Sequence, residues 1–153
     1  MPVLRSERLI PDALALPFTA LHVAANLVWI GSILSVAWLT ARASGAADGA
    51  EIGRLARGLY MRFSVPAFVL SFLGGILRLL MAPGAYLSAH WMHGKLFFAL
   101  GVIALHHIIG AKAKRVAKGE TAAGKSVPVF MVALLLAAIG ASALVTMKTA
   151  LIP

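Results

Sequence analysis

The segment Ala89-His90-Trp91-Met92-His93-Gly94-Lys95-Leu96-Phe97 places two imidazoles, a thioether and an ammonium group within six residues of an otherwise apolar run. The run continues through Leu100, Val102 and Ile103 to His106 and His107 without another charge. Ionisable side chains in an apolar span are costly and usually mark a working position. Imidazole ligates metals or carries protons, thioether is a soft ligand, and an ammonium group pairs with anions. His22, Asn26 and Trp29 form a second such group, and their spacing puts them on one face of a helix. Arg78, in the apolar stretch Gly74-Gly75-Ile76-Leu77-Arg78, is a third.

Composition says what must position these groups. Of 153 residues, 61% are hydrophobic and 12% charged, whereas a soluble domain is roughly half apolar and a quarter charged. The chain reads as an integral membrane protein. It has no cysteine, which excludes disulfides, thiolate metal sites, iron–sulfur clusters and covalently attached c-type haem. The net charge of +9 comes from basic residues flanking apolar runs, a topology signal and not a nucleic-acid surface.

The pattern predicts an all-α fold, a single domain over 1–153. Its four transmembrane helices fall at about 17–41, 59–82, 89–111 and 127–146, in an up-and-down antiparallel bundle. Residues 1–15 read as an amphipathic interfacial lead, with Arg5, Glu7, Arg8 and Asp12 among Leu4, Leu9, Ile10 and Leu14. Residues 42–58 read as a charged loop, and Pro66 as the kink or true start of the second helix. Gly74-Gly75 should admit a neighbouring helix closely, and Pro83-Gly84 should make a turn. Gly140-Ala141-Ser142 offers a packing face within the bundle or between protomers, and self-association is expected. Arg42, Arg54, Arg57, Arg62, Lys112, Lys114, Arg115, Lys118 and Lys125 flank the first and third connections. Only Arg5, Arg8 and Lys148 lie on the opposite side, so both termini are expected outside a cytoplasmic (inner) membrane that the chain crosses several times.

Depth narrows the chemistry. All five acidic residues (Glu7, Asp12, Asp48, Glu51, Glu120) lie outside the expected spans, which removes carboxylate metal sites and carboxylate proton relays. With a rise of ~1.5 Å per residue, His22 lies about 7 Å, Arg78 and His93 about 6 Å, and Lys95 about 9 Å from the outer helix ends. Imidazoles and cations from three helices thus share a layer that holds no anion. A b-type haem suits it, with His22 and His93 as axial ligands and the propionates on Arg78 and Lys95. Asn26 would orient an imidazole or the haem edge, and Trp29, Phe72 and Phe97 would cover the ring. Snorkelling to outer headgroups accounts for the two cations equally well. His106 and His107 fall near the expected inner surface, beside Tyr60 and Arg62, as a second site or as interfacial residues. Met81, Met92 and Met147 with His22, His90 and His93 offer copper ligation instead.

The spacing Leu21-His22…Trp29-Ile30-Gly31 resembles the first helix of the CopD and HemJ membrane families. Trp91-Met92-His93-Gly94-Lys95-Leu96, with His106 downstream, resembles the HemJ-type pattern of Trp, any, His, any, Lys and a distal His. Arg62-Phe63-Ser64-Val65-Pro66-Ala67 resembles that family's second helix, and Ser126-Val127-Pro128 fits more loosely. The resemblance implies a membrane protein of four or five helices that binds haem b and, on the HemJ side, oxidises protoporphyrinogen IX. On the CopD side it implies copper uptake or resistance. It makes His22 and His93 the haem ligands and Lys95 a functional cation. Together with the cation layer, Lys95 and Arg78 are the residues expected to act in catalysis, with Met92 and His106 as alternative ligands. A quinone or a porphyrin is the expected electron partner, membrane lipid the surroundings, and nucleic acid no partner.

Overall fold

The computed structural model describes residues 12–148. The expected interfacial lead, with Arg5, Glu7 and Arg8, lies outside or at the edge of the described residues. All regular structure among the described residues is helical. Helix α1 spans Ala15–Ala43 and α2 spans Gly49–Leu59. A π turn over Tyr60–Ser64 joins α2 to α3, Val65–Met81. The short α4, Pro83–Leu87, leads to α5, His90–Ala117. A 3-10 turn over Thr121–Ser126 leads to α6, Val127–Thr146. Four stretches are long and apolar enough to cross a membrane: Ala15–Ala43, Gly49–Met81, His90–Ala117 and Thr121–Thr146.

The expected loop over 42–58 is largely helix. Gly49, Gly53, Ala56 and Tyr60 are buried, and their spacing of four, three and four makes one helical stripe. That stripe packs on α5, so closely that a side chain at Gly53 would strike Val116 and Ala117. Glu51 and Arg54 are exposed. The charges suggested a loop because they dominate the composition, whereas the small residues set the packing. At ~1.5 Å per residue the 33-residue stretch Gly49–Met81 is about 50 Å long, so α2 continues beyond a hydrocarbon core of about 30 Å. In the same way α5 runs on past residue 111 to Ala117.

Pro66 neither ends nor sharply breaks its helix. A proline ring collides with the carbonyl four residues back, here that of Arg62. The turn before it is widened instead, with Val65 N–H donating to the Tyr60 carbonyl five residues earlier.

Helix α1 is central and packs on α2, α3, α5 and α6. Ser64 Oγ donates to Ser32 Oγ over 2.9 Å and Gly74 meets His22, so α1 and the α2–α3 helix run antiparallel. Gly94 meets Leu144 and Gly140 meets Phe98, which sets α5 antiparallel to α6. Gly140 therefore does its expected packing inside the chain. Trp29, Ile33, Val36, Ala37, Ile109, Ala113, Val127 and Leu134 fill the core. Leu27, Phe97 and Leu100 are over 60% exposed, as side chains facing lipid should be. Helix α2 packs on α5, whereas α3 follows α1 and makes no comparable contact with α5. The bundle is thus closed at one end and splayed at the other.

Candidate functional site

His22 projects from α1 onto α3 where Gly74 and Gly75 leave room. A Cβ at Gly74 would lie 3.1 Å from His22 Cβ, and one at Gly75 would lie 3.2 Å from His22 Cε1. The glycine pair is therefore a seat for this ring, as well as a point of close helix approach. His22 Nδ1 lies 2.7 Å from the Ser71 carbonyl oxygen. A carbonyl only accepts, so Nδ1 carries the proton and Nε2 keeps a lone pair. The Asn26 side-chain amide faces that lone pair at 3.1 Å and also donates to the His22 carbonyl at 2.9 Å. Asn26 Oδ1 in turn accepts from Ser71 Oγ at 2.9 Å. Ser71, which the sequence reading passed over, thus holds both residues. Its place one turn before Gly74 and two before Arg78 on the same face was the available signal.

The cations of Lys95 and Arg78 both bear electrostatically on His22. Lys95 also senses Arg78 and Lys148. Arg78 is oriented by Tyr86, to whose hydroxyl it donates over 2.7 Å, and by Met81 sulfur at 3.8 Å. The Lys148 ammonium stands 5.8 Å from the Trp91 ring centroid. Helices α3 and α5 and the end of α6 thus bring positive charge to bear near the α1 imidazole. The carboxylates whose side chains are described, Asp48, Glu51 and Glu120, belong to the opposite end of the bundle.

His93 does not join this cluster. It is exposed, its Nε2 donates to the Leu87 carbonyl over 2.8 Å, and its ring lies 6.4 Å from that of His90. His93 and Lys95 are about 200° apart around α5, so they point to different sides. The two histidines expected as an axial pair are therefore each bonded to a different element, His22 to α3 and His93 to the end of α4. Met81 and Met92 are buried while Met147 is exposed. Among the described residues no three His, Cys, Asp or Glu side chains gather as a metal site.

Trp29 and His106 sit elsewhere than expected. Trp29 is the middle residue of α1, and its indole N–H donates to His106 Nδ1 over 3.0 Å. His106 is accordingly at mid-bundle, not near the inner surface, because α5 is longer than the apolar run suggests. Trp29 covers His106 and not the outer layer. The imidazole is fully buried, with Tyr60 stacked at 4.9 Å and Phe68 at 5.1 Å. Tyr60 is thus the neighbour expected for His106, while Arg62 is exposed. A side chain at Gly110 would strike the Tyr60 ring, so that glycine admits the stack. His107 is exposed, 5.1 Å from His106 between ring centres.

Fold and site together define the class: an all-helical, multi-pass membrane protein whose central helix carries a polar face against its neighbours. Comparison with family models, curated proteins and solved structures finds no match for this chain.

Proposed function

We propose that this protein is a membrane-embedded b-type haem protein with a redox role of the HemJ-like kind, acting on a quinone or on protoporphyrinogen IX. The observation that carries the proposal is the preset state of His22. Its Nδ1 proton is committed to the Ser71 carbonyl, its Nε2 lone pair faces the Asn26 amide, and the charges of Lys95 and Arg78 act on the ring. Histidine ligands are oriented in this way by a backbone carbonyl on the other nitrogen. His22 would hold the iron, Arg78 and Lys95 would meet the propionates, and Asn26 would adjust the ligand field. His93, whose Nε2–H is held by Leu87, keeps its lone pair on Nδ1 and stands on another side of α5, so it would serve as the second ligand only through Nδ1 and after moving toward His22. His106 does not fit the role as it stands: its Nδ1 accepts the Trp29 proton, so a neutral ring has no lone pair on Nε2.

The haem would supply one-electron chemistry. The chain's part is to set the potential and to hold an anion. Arg78 and Lys95 would favour the reduced, less positive state of a haem held at His22, and so would raise its potential. The same charges attract carboxylate-bearing substrates, porphyrins among them. The Lys and Arg distribution supports both termini on the outer side of a cytoplasmic membrane.

Absorbance of protein purified after expression with haem supply tests the reading. A Soret band, a pyridine haemochrome of the b type and loss of both in His22→Ala are expected. A colourless wild-type protein refutes it. The copper alternative gains no observation: Met81 and Met92 are buried, Met147 is exposed, and His22 and His93 are held by different elements.

A further inference from the structure

The haem reading leaves unused a fully buried polar atom that has no partner among the described residues. His106 is 0% exposed, and its Nε2 has no hydrogen-bond partner among the described residues. The other nitrogen settles what this atom is. Indole nitrogen only donates, so Nδ1 is an acceptor and the neutral ring carries its proton on Nε2. A buried N–H donor without an acceptor is rare and calls for an explanation.

A second feature points to the same place. The π turn over Tyr60–Ser64 begins at the residue stacked on His106. Pro66 sets this turn, and Tyr60 at its start is carried onto the face of His106. Phe68, one turn beyond it, lies against His106 at 5.1 Å and edge-on to His107 at 5.7 Å. His107 is exposed at mid-bundle, where the surroundings of a membrane helix are apolar. Beyond this point α3 leaves α5, and Phe72, 5.9 Å from Phe68, is itself 48% exposed.

We propose that His106 is the donor of a binding site for a quinone-type carbonyl compound, reached from the bilayer between α3 and α5. Three observations select this ligand. The donor is a neutral N–H among rings, so it suits a neutral acceptor and not an anion. The approach lies along the apolar flank of the bundle, so the ligand is lipid-soluble. The walls are the flat rings of Tyr60, Phe68 and His107, so the ligand is planar. Phe68 turns aside on binding, because Nε2 is fully buried. The site names the electron partner of the proposed redox function and rests on that reading for its purpose, but binding itself needs no haem.

The test uses the full chain in nanodiscs, prepared without added haem, with Trp38→Phe and Trp91→Phe leaving Trp29 as the fluorescent reporter. Titration with decylubiquinone should quench Trp29 saturably. His106→Phe should bind about tenfold more weakly, the equivalent of one lost hydrogen bond. His106→Gln, which keeps an acceptor for Trp29 and an N–H donor, should retain most of the affinity. In histidine-15N-labelled wild type, the Nε2–H resonance of His106 should shift on titration, a readout that does not depend on variants folding. Linear quenching, equal in wild type and His106→Phe, reports partition into lipid only and overturns the proposal, as does an unmoved Nε2–H resonance. A protein that binds quinone but never shows a Soret band sinks the haem reading alone. A haem protein blind to quinone sinks this one alone.

Discussion

The indole N–H of Trp29 meets Nδ1 of His106 at 3.0 Å, although 77 residues separate them in the chain. That bond ties the central helix to α5 at mid-bundle and fixes which imidazole nitrogen is protonated. It also turns His106 from a candidate metal ligand into a hydrogen-bond donor.

Replacing Trp29 by Phe removes the donor and leaves Nδ1 of His106 buried and unpaired. Interhelical hydrogen bonds in membrane proteins contribute about 0.6 kcal/mol on average and about 1.7 at most. Trp29→Phe should cost toward the upper end, because the lost ring volume adds to it. Trp38→Phe, at a side chain 56% exposed, should change stability by less than about 0.5 kcal/mol. Reversible unfolding in mixed micelles measures both. Equal stabilities would show that the bond contributes nothing.

Gly110→Ala should be the more damaging of two outwardly similar substitutions. A methyl group there runs into the Tyr60 ring, whereas one at Gly31 meets nothing within 4 Å. Overpacking of this kind costs about 1–3 kcal/mol. Gly31→Ala should be neutral or stabilising by up to about 1 kcal/mol, from helix propensity. Thermal unfolding of the two variants gives the comparison. The stacked Tyr60–His106 pair makes Gly110→Ala the lower-melting one.

The cations of Arg78 and Lys95 should matter for an anionic ligand and little for folding. Arg78→Gln and Lys95→Gln should each weaken haem retention roughly tenfold, the value of a charge-assisted bond. Tyr86→Phe should weaken it less, because it removes only the hydroxyl that orients Arg78 over 2.7 Å. Haem transfer to apomyoglobin measures the retention. Unchanged transfer rates in both charge variants would place the propionates elsewhere.

Cysteine labelling checks the orientation drawn from the basic residues. In spheroplasts, Ser88→Cys in the α4–α5 connection should react with an impermeant maleimide from outside. Ser44→Cys and Lys118→Cys should react only after lysis. Reversed labelling would invert the assignment of the termini. The chain carries no native cysteine, so no background needs removal.

The Arg115–Glu120 ion pair, 2.8 Å long, joins side chains 58% and 52% exposed. Pairs of this kind contribute about 0–1 kcal/mol. Glu120→Gln should leave the melting temperature nearly unchanged, and any residual effect should fade in high salt.

Membrane character and helical class were written in the composition of this chain, because apolar runs of this length have few alternatives once the backbone must satisfy itself within a bilayer. That His22 and Asn26 share one face was also legible, since helix periodicity converts residue number into face. What contact alone could reveal was which way each ring turns. His22 is claimed by Ser71 and His93 by Leu87, and two positions of similar depth were thereby sent to different partners. The stripe Gly49, Gly53, Ala56 and Tyr60 passed for loop because small residues carry little hydropathy, and they signal a helix only once α5 is there to be approached. The Trp29–His106 bond depends on the rotation of two helices about their own axes, a quantity set by how all the side chains interlock and not by any one segment.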